Sequence, residues 1–288
     1  MKPAAIVTAV AIAGACYTPA SAAPPTFADP VPVTIRGYSG DAMEPEISRD
    51  GRYLFFNNSN TAPDTNLYYA SRIDDLTFQY REPLAGANSS SVDAVASIAS
   101  NGHFYFASTR SYAQTASIIY EGLFANGKVS GVRLVDGLSR RQPPWANFDV
   151  AISADDQTIY FVDSLFAPIG GIPLTADLVV ASRHGRGFER RQDSSTILAT
   201  VNMPVALQYA AYISADGREL FFTRVIPPQD PAIFVATRPD TSSAFGVPMK
   251  LDALTGFVEG PSLSPDGRGL YFHKKVGNGF RIFRASRR

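Results

Sequence analysis

Five polar residues occupy comparable places in this 288-residue sequence: Glu44, Asp93, Asp149, Gln208 and Glu259. Each lies six to eight residues ahead of a short turn signal, and each belongs to a different stretch of chain. Carboxylates drawn together from separate segments have two chemical uses. They coordinate a hard cation such as calcium through oxygen, or they act as a general acid and base when their surroundings separate their pKa values. A solvated acidic rim with no chemistry is the third outcome, and the unequal offsets mean that the five side chains need not converge.

The three histidines, His103, His184 and His273, fall at different points of different units, and no pair has metal-ligand spacing. His273 ends a β-rich run beside Lys274, where it is expected to face the opposite rim from the acids, and it joins Glu44, Asp93, Asp149 and Glu259 as a catalytic candidate. The single tryptophan lies in Ser139-Arg-Arg-Gln-Pro-Pro-Trp145, beside Arg140 and Arg141. Exposed Trp and Arg are typical anchors for a partner, so these three and Gln208 are the binding candidates; Trp145 packed beneath its own loop is the alternative. Gly37-Tyr-Ser39-Gly40 lacks the second spacer of a nucleophile elbow, and phosphate-binding glycine motifs are absent.

The elements that carry these residues are repeats. Ile47-Ser-Arg-Asp50-Gly, Ile98-Ala-Ser-Asn101-Gly, Ile152-Ser-Ala-Asp155-Asp, Ile213-Ser-Ala-Asp216-Gly and Leu263-Ser-Pro-Asp266-Gly recur at intervals of 51, 54, 61 and 50 residues. Asp-Gly between apolar runs is a hairpin signal, because Gly accepts φ > 0 and the Asp carboxylate bonds nearby amides. A second apolar strand follows each turn. A third comes next, ending in a small residue, a hydroxyl and Arg in four units (Ala-Ser-Arg72, Ala-Ser-Arg183, Ala-Thr-Arg238, Ala-Ser-Arg287). Outer strands are expected at 78–81, 132–135, 188–191 and 247–251. The fifth unit has none before the sequence ends, whereas Val33-Thr-Ile-Arg36 lies unpaired near the N-terminus. A period near 50 residues with four strands per unit predicts an all-β, single five-bladed propeller of four-stranded antiparallel blades, closed by Val33–Arg36 completing the last blade.

The Ser-Pro-Asp-Gly-Arg form at 264–268, with its relatives at 48–52 and 214–218, resembles the PD40 or WD40-like repeats of TolB-like propeller proteins. The resemblance covers nearly all of the chain after the first residues. It implies the propeller fold and no single function, since proteins with such repeats include periplasmic scaffolds, sugar lyases and propeller portions of peptidases.

Lys2, an apolar run from Ala4 to Ala15 and Ala20-Ser-Ala22 predict a secretory signal over 1–22, cleaved after Ala22, with the propeller domain over 23–288. Ala13-Gly-Ala-Cys16 offers a lipid-anchor site as the rival. Cleavage after Ala22 removes the only cysteine and leaves 25 basic against 26 acidic residues, a balance that points to neither nucleic acid nor an anionic membrane. The sequence therefore predicts a periplasmic or secreted, non-catalytic propeller with no required cofactor. It is expected to bind a protein or glycan at a channel mouth and the loops around Trp145. A carbohydrate-active hydrolase or lyase using the acidic ring is the alternative.

Overall fold

The structure is a computed structural model and describes residues 25–60, 64–166, 171 and 173–288. The expected signal segment, with Cys16 and Ala22, lies outside the described residues.

Each repeat forms one antiparallel sheet, here called blades I to V. The inner strands are Met43–Ile47, Asp93–Ile98, Trp145–Ile152, Leu207–Ile213 and Val258–Leu263. Each packs against the inner strands of both neighbouring blades, and that of blade V packs against that of blade I, which closes a ring of five. The turns behave as their residues dictate. Ser48, Ser153, Ser214 and Ser264 each donate a 2.6 Å bond to the Asp two residues on, while Gly51, Gly102, Gly217 and Gly267 take the left-handed conformation. Blade III has Asp156 at that place with φ 64°, an uncommon conformation that Asp tolerates better than most residues.

The core lies between blades rather than within them. Five buried apolar clusters each join two neighbours; Phe55, Phe104 and Phe106 fill the space between blades I and II, and Tyr160, Leu178, Leu220 and Phe222 that between III and IV. The second strands are covered on both faces, which is why they read as unbroken apolar runs.

The ring is closed by an N-terminal strand, but by residues slightly earlier than Val33–Arg36. Phe27–Pro32 pairs antiparallel with Gly279–Arg287 as the outer strand of blade V, and the Val33 amide still donates to the Ile282 carbonyl. Thr34–Arg36 instead crosses to blade I, pairing in parallel with Thr77–Gln79 as a fifth strand there. Pro30 and Pro32 make the closing stretch look unlike a strand, yet an outer edge tolerates residues that cannot donate to a ladder.

Candidate functional site

Every inner strand carries a bulge, and in each the residue six before the turn residue is left-handed: Glu44 (φ 48°), Val95 (53°), Asp149 (50°), Ala210 (47°) and Gly260 (64°). A bulge frees backbone groups from the ladder. In four blades a side chain from the preceding blade takes the freed amide. His273 Nδ1 accepts from Glu44 N at 3.1 Å, Asn57 Oδ1 from Val95 N at 3.1 Å, and Thr223 Oγ1 from Gly260 N at 3.2 Å. His273, Asn57 and Thr223 all stand seven residues after their turns. Blade III has Val162 there, and Asp149 Oδ2 accepts the Ala210 amide at 3.0 Å in its stead.

The bulge sets which candidates meet. Glu44 and Asp149, six before the turn, and Glu259, seven before, line one cavity of about 530 Å³ at the channel mouth. Asp93 and Gln208, eight before, do not. Buried Asp93 takes bonds from Ser89 and Arg110 inside blade II, and Gln208 Nε2 donates to the Met203 carbonyl. His273 lies beside the acids, not at the opposite rim: its strand runs antiparallel to the inner strand, so its end meets that strand's start, and the pair Glu259↔His273 is in register. His273 Nε2 is 2.9 Å from Glu259 Oε2. Because Nδ1 accepts the Glu44 amide, Nε2 carries the proton and donates. Burial lowers the His273 pKa, while Glu44 and Glu259 raise it and prevail; the Glu44 amide resists protonation, which would cost that bond.

Glu44, Glu259 and His273 place ligand-type atoms within 4.8 Å of one another. Both imidazole nitrogens are already engaged, so a metal bound through either would displace an internal hydrogen bond. Glu44 Oε1 accepts from Asn60 at 3.0 Å, and Tyr209 donates to Glu259 Oε1. Burial pushes the Glu44 carboxyl up, with Glu259 adding and His273 opposing; burial and then Glu44 push Asp149 well above the usual carboxylate range. Tyr209 is pushed up by burial and by Glu259. Phe148, Phe166, Tyr112 and Tyr209 supply aromatic walls.

The other end of the channel is closed by Arg49. Its guanidinium donates to the carbonyls of Ile98, Ile152 and Ile213, one from each of blades II, III and IV, and to Tyr212. The corresponding residues in the other repeats are Ser100, Ala154, Ala215 and Pro265, so one long cation fills a space ringed by small side chains.

Trp145 begins the inner strand of blade III, half-buried, with Arg140 stacked 4.2 Å from its ring centre. Arg140 also bonds Asp163 at 2.6 Å, and Arg141 is exposed, 3.7 Å from Asp136. Trp145 is therefore covered on one face by Arg140 of its own loop, and its neighbours Pro144 and Ala146 line the cavity. Asn60, Tyr112, Phe148 and Tyr209 were not singled out from sequence; the constant offset of six was the signal that would have ordered the inner-strand positions.

No family model matches this sequence, and no curated protein matches it. Solved structures do. A family 117 glycoside hydrolase from the marine bacterium Zobellia galactanivorans superposes with a TM-score of 0.56 at 11% identity over 91% of this chain and 90% of its own. The catalytic domain of the Coprinopsis cinerea GH62 α-L-arabinofuranosidase gives 0.56 at 12% identity over 91% and 96%. TolB from Acinetobacter baumannii gives 0.46 at 15% identity over 85% of this chain, which spans 55% of that protein. At these identities the likeness to the two glycoside hydrolases is one of fold alone. Among the described residues, no helix is long and apolar enough to cross a membrane.

Proposed function

We propose that this propeller, after export, binds a glycan in the cavity at the acidic mouth of its channel. The observation that carries the proposal is the cavity itself. Its volume of about 530 Å³ is within the range of small-ligand pockets. Aromatic faces stand on its walls, carboxyl groups on its floor, and Arg49 closes the far end. Such a pocket suits a sugar ring better than a protein surface. Trp145, at the rim, extends the contact to a longer chain.

Hydrolysis is the second reading. It is favoured by the nearness of Glu44 and Glu259 and by burial holding Asp149 and Glu44 toward their protonated forms, which is what a general acid requires. The glycoside hydrolases among the structural neighbours point the same way.

Residues 23–288 presented to a glycan array, with and without EDTA and with added calcium, test both. Binding of at least one oligosaccharide is expected, weakened about tenfold by Phe148→Ala, and weakened by Trp145→Ala more for long chains than for short ones. Absence of any glycan binding overturns the proposal. Release of reducing ends that Asp149→Asn abolishes establishes hydrolysis; binding without release leaves the binding function alone.

A further inference from the structure

The cavity floor carries two buried carboxyl groups that no cation of the protein pairs with among the described residues. Asp149, 6% exposed, uses only Oδ2, on the Ala210 amide. Glu44, also 6% exposed, uses only Oε1, on Asn60. Among the described residues no donor bonds Asp149 Oδ1 or Glu44 Oε2, and both residues line the cavity. Around them, Tyr209 and His273 both donate to Glu259 and the Tyr112 hydroxyl donates to the Trp145 carbonyl. Among the described residues neither Lys nor Arg lines the cavity.

A neutral sugar hydroxyl bonds a carboxyl group in either protonation state, whereas a cation pairs with the ionised, acceptor-only form. An ammonium group has three donors and no acceptor. Buried carboxylates are expensive unless a cation pairs with them, and the rings of Phe148 and Phe166 add faces to which a cation is attracted.

We infer that the cavity selects a ligand bearing a primary ammonium group, which within the glycan reading above, on which this inference rests, means an amino sugar. The ammonium sits between Asp149 Oδ1 and Glu44 Oε2, and the apolar walls hold the rest of the ring.

Calorimetric titration of the full mature chain in EDTA tests this with three probes: a glucosamine disaccharide, its N-acetylated counterpart, and the diamine cadaverine. The glucosamine disaccharide is expected to bind about tenfold more tightly than the acetylated one, the worth of a charge-assisted bond. Asp149→Asn should erase that preference while keeping a carbonyl for the Ala210 amide; an unchanged melting temperature confirms that the fold survives. Equal affinity for the two sugars overturns the inference and leaves glycan binding standing. Cadaverine bound and both sugars rejected overturns the glycan reading and supports the cation site. No binding by any probe overturns the inference, and the glycan reading then stands or falls on the array.

Discussion

Glu46 is buried two residues past Glu44, and it ties three blades together. It accepts from the Ile98 amide at 3.2 Å and from the hydroxyls of Ser97 and Ser262 at 3.5 and 3.1 Å. Burial pushes its carboxyl up to about 7, against the pull of Arg49 and of those hydrogen bonds. An acid whose pKa is raised by folding adds stability below its unfolded value and loses it as the pH climbs through the folded one. The shift from 4.5 to about 7 is worth about 3 kcal/mol between those limits. Glu44 and Asp149 shift in the same direction. The melting temperature is therefore expected to fall from pH 5 to pH 8, and Glu46→Gln should show a visibly shallower fall, whatever its absolute stability. Parallel profiles for the two proteins would show that Glu46 does not titrate in that window. None of this was visible from the residue alone, since Glu46 reads as the polar position of an alternating strand until the neighbouring blades bury it.

The bulged inner strand is the element that builds the site, and its five versions tolerate different residues. Gly260 has φ 64°, and a Cβ there would lie 2.5 Å from Glu44 Oε2 and 3.1 Å from His273 Nδ1. Ala210 holds nearly the same conformation with a side chain in place, at φ 47°. Gly260→Ala should thus destabilise by about 1–3 kcal/mol and disturb the Glu44–His273–Glu259 cluster, while Ala210→Gly should change stability by less than about 1 kcal/mol. Chemical denaturation of the two variants checks this, and equal losses would refute the special role of the blade V bulge. Turns and second strands were legible in the sequence because Asp-Gly pairs and unbroken apolar runs act locally. The bulges were not, because only Gly260 among the five left-handed residues advertises its conformation. The result at the site follows from that. Three of the five aligned positions reach the cavity, and Asp93 and Gln208 miss it by one or two residues of offset, a difference that a repeat alignment blurs and a bulge makes decisive.

At the scale of the whole ring, closure depends on a strand from the other end of the chain. Phe27 is buried against Phe221 of blade IV with ring centres 5.9 Å apart, and Arg287 reaches Glu219 of the same blade through two bonds of 2.6 and 2.8 Å. Removing Phe27–Pro32 bares the edge of Gly279–Arg287 and one face of the junction between blades IV and V. A chain beginning at Val33 is expected to self-associate on a sizing column through that edge, and a synthetic peptide of residues 25–33 should return it to the size of the uncut protein. A truncated protein that stays at that size, with an unchanged melting temperature, would show that the ring closes without this strand. The repeat pattern made the need for such a strand legible, while Pro30 and Pro32 hid its position.

The seam has a mechanical side as well. Thr26 and Arg288 are joined by a 2.9 Å backbone bond, so the two ends of the ring leave it at one point and in one direction. A force that draws them apart loads the bonds of that strand pair one after another, as a zipper is opened, instead of all together. Blade V, which that strand pair closes, is the blade that a pull on the two ends is expected to open first.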